Sequence, residues 1–441
     1  MRKVSNRLLI LVSCILLVLV TITPALAQNP ITITFMGHGH PEEHEIFTRL
    51  IEKYEERYPH VTVNYINVPP AEYMIRLQAM VAGNQTPDVF YLPAGDLMPW
   101  ADSGLLADLT ELVANTDLFD EANIWPEALA RYRYDGNMVG QGPLWALPKD
   151  VGPWALAYNA DLFKEAGVPL PDPDVPWTWD EFLENARKLT RGSGNDRKWG
   201  AAFYTLEAAV WANGADWLDE TKTRVTVDDS KFIEALQWVA DLRLVHQVTP
   251  TREEEQSMGG YSRFINGQIA MFPMGPWDQP AFWRLPFEWD LMPWPVSPNT
   301  GKNATWIGSM GFAVSSRTKN LQEAFNLAAF LALDREGQQL NYELGMAVPN
   351  LIDMAETGFL NMDKPPANRK EFLRIITDYG RRPINEYTYD NEWIDAFWQG
   401  VDAVYAGRKT AAEFCKEIQP EMQSLLDGAI ARQEQQRQRN R

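Results

Sequence analysis

The sequence predicts an α/β fold of two lobes, each a mostly parallel sheet flanked by helices. Three observations predict it. A chain of 441 residues is longer than one ordinary domain and favours two or three. Strand-like and helix-like segments alternate from Ile31 onward, and such alternation builds parallel sheets covered by helices on both faces. Around Gly140 the texture changes to GQGPLWALPKDVGP (Gly140–Pro153), a Gly/Pro-rich stretch suited to a crossing into a second lobe. Charged residues at 22 % and hydrophobic ones at 45 % give a globular balance, so both lobes can bury a core.

The elements follow in order. ITITFMGH (Ile31–His38) alternates like a strand, and Pro41–Tyr58 carries Ile46, Leu50, Ile51 and Tyr54 on one helical face. VTVNYINV (Val61–Val68) reads as a second strand, Ala71–Ala82 as a helix stopped at Gly83, and PDVFYL (Pro87–Leu92) as a short buried strand. Thr178 and Glu181 form a T-x-x-E capping box that opens a helix running to about Thr190. Further helices are legible at Lys231–Val245, Leu321–Leu333 and Asp390–Tyr405, and QIAMFPMGPW (Gln268–Trp277) reads as a strand ending in an aromatic turn. The tail from Gln433 is polar and is expected to fray. No solenoid-period repeat is present.

The first segment stands apart from the fold. Arg2, Lys3 and Arg7 precede an apolar run from Leu8 to Val20, and Ala25-Leu26-Ala27 supplies a signal-peptidase pattern, so residues 1–27 are expected to be a cleaved signal peptide. The alternative is a retained membrane anchor, because Leu8–Ile22 approaches spanning length; Pro24 and the A-x-A pattern favour cleavage. Lipid anchoring at Cys14 is disfavoured, since the apolar run continues past the cysteine instead of closing at it. Only Cys415 would then remain, and stability must come from packing without a disulfide. Losing three cations from 40, against 59 acids, takes the net charge from −19 to −22, which excludes nucleic acid and anionic membranes as partners.

Four longer stretches carry a resemblance. GNQTPDVFYL (Gly83–Leu92), LWALPKDVGPWALAYNADLFKEAGVPLPDP (Leu144–Pro173) with PWTWDEFLENARKLT (Pro176–Thr190), FINGQIAMFPMGPW (Phe264–Trp277) and WIGSMGFAVS (Trp306–Ser315) resemble the family 1 extracellular solute-binding proteins. These are the sugar-binding components of ABC importers, the group that includes maltose-binding protein. The resemblance runs through nearly the whole mature chain and implies the type II periplasmic-binding-protein fold, with a ligand cleft between the lobes. It places Gln28–Gly142 with Pro298–Ala347 in one lobe, and Pro143–Ser297 with Val348–Arg441 in the other. It further implies an extracytoplasmic protein, a monomer, that closes on a carbohydrate by hinge bending and docks on the importer's permease subunits.

The residues themselves suit a sugar. A pyranose offers a C–H face for an aromatic ring and a rim of hydroxyls for polar side chains, and many of the 17 tryptophans lie beside Gly, Pro or Asn. Trp277 in GPW follows a strand, and the family's aromatic at this place commonly stacks on the sugar; the alternative is a core tryptophan of the interlobe wall. Trp306 in WIGSMG and Trp211 in VWANG follow the same logic, and Gly308 and Ser309 would let backbone amides approach a hydroxyl. For hydroxyl binding, strand-end loops nominate Glu43, Asp96 and Asp150, with Tyr91 and Trp154 as weaker candidates; each acid could instead cap a helix or sit in solvent. Arg76, Arg131 and Arg133 could meet a phosphate but lie in segments not placed at the cleft.

The run GHGHPEEH gathers His38, His40 and His44, yet its spacing misses an H-x-H-x-[DE]-H motif by one residue; a helix start with dipole-favoured acids is the better reading, and no metal or other cofactor is expected. An enzyme is not expected either. A glycosidase needs two carboxylates roughly 5–10 Å apart, and nothing marks such a pair. G-x-S-x-G, G-x-G-x-x-G, H-E-x-x-H and P-loop motifs are absent, and no catalytic residue is assigned. A di- or oligosaccharide is the first expectation for the ligand, with a monosaccharide, glycerol-3-phosphate or a polyamine as alternatives.

Overall fold

The computed structural model describes residues 30–439; the expected leader, its cleavage site and Cys14 lie outside them. The first sheet grows from β1 (Ile31–His38), α1 (Pro41–Arg57), β2 (Val61–Val68), α2 (Pro70–Ala82) and β3 (Val89–Pro93), as the alternation predicts. Proline at the first position and Glu42 and Glu43 in the first turn start α1, where the missing N–H costs nothing and the dipole favours acids. Its Phe47 then packs on Phe35, which also stacks on Tyr65 with centroids 5.0 Å apart, and Leu50 is buried in the same core.

The chain next adds β4 (Ala146–Pro148), passes through β5 (Gly152–Pro153) and enters the second lobe at β6 (Ala155–Asn159). That lobe contains α3 (Trp179–Leu189), β7 (Trp199–Ala201), α4 (Leu206–Ala212), α5 (Ser230–Leu244), β8 (Ile269–Met274) and β9 (Trp289–Met292). The capping box holds α3: Glu181 N–H donates to Thr178 Oγ1 at 3.2 Å and Thr178 N–H to the Glu181 carboxylate at 2.7 Å. Strand β10 (Thr305–Gly308) leads back to β11 (Met310–Val314) and α6 (Leu321–Leu333) of the first lobe. After β12 (Gly380–Arg381), α7 (Glu392–Gly400) and the 29-residue α8 (Ala411–Arg439) close the chain on the second lobe.

The first sheet has the order β2-β1-β3-β11-β4 and the second β9-β6-β8-β7. The expectation of mostly parallel sheets needs correction. β11 runs antiparallel to both neighbours, and β6 is antiparallel to β8 and β9, so both sheets are mixed. The cause is the repeated crossing: strands that arrive from the other lobe enter a sheet against its direction. At the first crossing β4 pairs with β11, so Ala146–Pro148 form part of the first sheet. At the other crossing, Ser297, Asn299 and Thr300 bond to Asn213 and Ala212 of the second lobe, so Pro298 has not yet left it.

A third, three-stranded sheet, β12-β10-β5, is made of the crossings themselves. β10 pairs antiparallel with β5 and parallel with β12, so the covalent links between lobes are also hydrogen-bonded to one another.

The tail is the clearest departure from expectation. α8 stays helical to Arg439 and ends on the first lobe: Gln433 Nε2 lies 3.6 Å from Met98 Sδ, Gln436 donates to the Asp102 carbonyl at 3.3 Å, and Arg437 to the Asn137 carbonyl at 3.0 Å. Two of its polar side chains, Gln436 and Arg437, reach backbone oxygens. A chain ending at Ala431 should therefore melt roughly 2 °C lower than the full chain by differential scanning calorimetry; an unchanged melting temperature would mean these contacts are idle.

Candidate functional site

The site begins at the floor between the lobes. Gly152 and Gly308 are partners across β5 and β10, so close that a Cβ on Gly152 would sit 2.0 Å from the Gly308 carbonyl oxygen and 2.9 Å from the Trp277 ring. Only glycine fits there. Beside this contact three indoles lie nearly parallel. Trp154 and Trp306 have centroids 4.7 Å apart at 14°, and Trp277 lies 6.1 Å from the first and 6.3 Å from the second. Trp154 is fixed by its indole N–H to Thr205 Oγ1 at 2.9 Å, and its carbonyl accepts from Thr305 and Trp294. Trp277 follows β8 in a turn held by Asp278, whose carboxylate accepts the Gly275 N–H at 3.1 Å.

A charged cluster closes the first-lobe side. Lys149 lies 2.9 Å from Asp150 and 3.3 Å from Glu43, and Ser309 donates its hydroxyl to Asp150. Burial opposes the Lys149 ammonium but is outweighed by Asp150 and Glu43, so its pKa is raised and the cation is kept. Glu43 is the surplus acid: burial raises its pKa, and Asp150 adds to this against the pull of Lys149. Next to it burial, helped by Lys149, pushes His38 down to about 4, so its ring is neutral at ordinary pH. Arg131 donates through Nε to both Glu386 oxygens at 3.0 Å and through a terminal nitrogen to the Ser309 carbonyl at 3.0 Å.

These groups surround a cleft of about 720 Å³, within the size range of small-molecule sites. Among the expected residues, Glu43, Trp277, Trp306, Gly308 and Ser309 line it, and Trp154 lines an adjoining cavity of about 390 Å³ that Trp306 also borders. The other expected residues lie off these walls. Asp150 is buried behind Lys149 and Ser309 and positions both. Tyr91 is wholly buried, with only its hydroxyl 3.5 Å from Glu43. Trp211 belongs to the second lobe's core, its N–H donating to Asp216 at 3.1 Å under the Arg381 guanidinium. Asp96 is half-buried beyond the wall, and burial pushes its carboxyl up to about 6.

Other wall residues were not singled out from the sequence. Arg131, placed away from the cleft by sequence reasoning, lines it, although Glu386 already saturates its charge. Trp398, the only exposed tryptophan among the described residues, borders both cavities, as does Glu207. Glu207 was legible in principle: it follows the strand-like KWGAAF segment and begins a helix, the strand-end position where ligand groups gather. Among the described residues no group of three or more His, Cys, Asp or Glu could hold a metal ion, and no helix is long and apolar enough to cross a membrane.

Residues 40–338 match the bacterial extracellular solute-binding proteins. The chain belongs to this family. A lipoprotein from the oleD 5′ region of Streptomyces antibioticus is 27 % identical over 350 residues, covering 75 % of this chain and 73 % of its own. The galactooligosaccharide-binding protein of Bacillus subtilis is 23 % identical over 355 residues, covering 78 % and 77 %. In fold, the chain is similar to the ABC substrate-binding protein Lmo0181 of Listeria monocytogenes, solved with cycloalternan, at TM-score 0.81 and 23 % identity over 90 % of this chain and 100 % of that one. The GacH receptor of Streptomyces glaucescens follows at TM-score 0.75 and 22 % identity, over 91 % and 99 %.

Glu207 offers a test that needs no ligand. Among the described residues its side chain has no hydrogen-bond partner beyond its own backbone N–H, and burial raises it from 4.5 to about 7. The folded state therefore holds this proton more tightly than the unfolded state, and stability falls as pH rises from 4.5 through 7. Glu207→Gln should melt close to wild type at pH ~5 and above it at pH ~8, since the amide escapes the ionisation cost; a variant that melts lower at pH ~8 contradicts this account.

Proposed function

We propose that this solute-binding protein captures an oligosaccharide between its lobes and hands it, chemically unaltered, to the permease of an ABC importer. The observation that carries the reading is the parallel tryptophan trio, two of whose rings line a cleft that also presents the carboxylates of Glu43, Glu207 and Asp395 and the Ser309 hydroxyl, which matches the two faces of a sugar. Relatives support it: besides the galactooligosaccharide-binding protein, an arabinooligosaccharide-binding protein of Bacillus subtilis is 22 % identical over 320 residues. The ligand contacts would come from Trp277, Trp306, Trp398, Glu43, Glu207 and Ser309.

Charge argues against an anion such as glycerol-3-phosphate. Arg131 and Lys149, the Arg and Lys side chains on the main cleft, are already paired with Glu386, Glu43 and Asp150. Glu207 and Asp395 border the cleft without a cationic partner among the described residues, and they make a polyamine the second reading.

The lobes would hinge about the three-stranded crossing sheet, one comprising residues 30–148 and 310–354, since Asn350 and Asp353 bond to Pro148, Ala332 and Asn123, and the other residues 155–304 and 368–439, since Asn368 bonds to Asp290 and Leu291. The leader, residues 1–27, would be removed on export, and the protein would act outside the cytoplasm as a monomer. Ligand that bridges both lobes favours the closed state by its differential affinity, on the order of 5 kcal/mol for a nearly complete shift.

Trp277→Ala should lower affinity for the sugar selected in a thermal-shift screen by about 10- to 100-fold in calorimetric titration, the loss of a buried ring stack, while the circular dichroism spectrum is unchanged. Affinity within about twofold of wild type would remove Trp277 from the site.

A further inference from the structure

We propose that the chain carries a latch across one edge of its cleft, an ion pair and a ring stack between the lobes that bias them toward closure before any solute is bound. The inference rests on the hinge described above and is independent of the ligand's identity. From the first lobe, the turn between β1 and α1 supplies His40, and the first turn of α1 supplies Glu42. From the second, a short helix before β8 (Gly260–Ile265) supplies Tyr261, and Arg284 lies just past the helical turn Gln279–Phe282. Arg284 Nη1 stands 3.2 Å from the Glu42 carboxylate, and neither group has another ion-pair partner among the described residues. The His40 imidazole is nearly parallel to the Tyr261 ring, at 14° with centroids 6.4 Å apart. His40 also lines the cleft, so the latch sits at its rim.

A buried contact on the same edge brings these groups within reach. Gln279 is wholly buried and donates through Nε2 to the Pro276 carbonyl at 3.0 Å and to the Gly345 carbonyl of the first lobe at 3.2 Å. Its Oε1 accepts from Arg369 at 3.0 Å. Gly345 has φ +88°, and a Cβ there would come within 2.4 Å of the Trp283 ring, so a glycine is needed where the two lobes meet. Breaking the Gln279 contact would strand buried polar groups, whereas the outer pair opens into water: the Arg284 side chain is 65 % exposed. An exposed ion pair shifts an equilibrium by about severalfold at most, enough to favour closure without barring a solute from entering. Such a bias lowers the share of binding free energy that a solute must spend on closing the lobes.

The test uses the full mature chain without ligand, spin-labelled at Glu52→Cys and Ser257→Cys, exposed positions of the two lobes; Cys415 is buried and stays unlabelled. Pulsed electron paramagnetic resonance then reads the ratio of long, open distances to short, closed ones. Arg284→Glu, which sets two carboxylates face to face, should raise that ratio about threefold or more, and adding Glu42→Arg should return it to within about 1.5-fold of the labelled parent. In ~1 M NaCl the effect of Arg284→Glu should shrink, while Tyr261→Leu, which removes the stack, should raise the ratio about twofold at either salt. Two distances whose ratio Arg284→Glu leaves unchanged overturn the latch, and so does an opening that the reversed pair fails to undo. A single fixed distance in every variant at every salt instead overturns the hinge on which the latch depends.

Discussion

The cleft depends on one backbone contact, the pairing of Gly152 with Gly308 between two strands that cross from lobe to lobe. With any side chain at Gly152 the strands would separate, and Trp154 and Trp306, the residues that follow and precede these glycines at close range, would lose their stacking distance. The hydrogen bond from Trp154 N–H to the Trp306 carbonyl at 3.1 Å ties the same pair through the main chain. The aromatic floor is therefore set by strand pairing, and side-chain packing refines it. This also places the stacking surface on the crossing strands proposed above as the hinge, the part of a two-lobed protein that would move least if the lobes rotate.

The buried charges are arranged for position more than for stability. Removing Arg131 and Glu386 or Lys149 and Asp150 from water costs several kcal/mol per ion, and the pairing does little more than offset it. What the pairs achieve is geometric. Arg131 and the Tyr132 hydroxyl both donate to the Ser309 carbonyl, and Asp150 takes the Ser309 hydroxyl, so the residue next to Gly308 is held at both its polar ends. Glu43 is drawn into the same network through Lys149 and Tyr91, which turns the start of α1 toward the cleft. Tyr91 and Asp150 thus contribute from behind the wall.

This explains which parts of the structure could be read from the sequence. The first five elements, β1 to β3, were legible nearly to the residue because period-2 and period-3.6 patterns alternate there without interruption. Strand direction was not legible, since β6 and β11 look the same in a parallel or an antiparallel sheet; only the crossings decide it. The GPW and WIGS tryptophans could be found because glycine and proline at a strand end mark a turn beside the crevice. Trp211 carries a similar Asn-Gly flag, yet it sits inside α4, where the helix turns it into the core. The acids at Asp96 and Asp150 lie at strand ends as expected, but burial depth is a property of three dimensions that local sequence does not encode.

Glu207 shows why such a site keeps a destabilising feature. A half-buried carboxylate with no cationic partner raises the cost of its own ionisation, and a single substitution could remove that cost. Its neighbours Arg243 and Arg252 are committed to Glu255 and Asp402 and leave it uncompensated. On the carbohydrate reading proposed above, a ligand's hydroxyls would supply hydrogen bonds to Glu207 as the lobes enclose them, and that gain would favour the closed state. In that reading the free energy that the folded chain forgoes at this position would return as differential affinity for a solute that brings donors to Glu207.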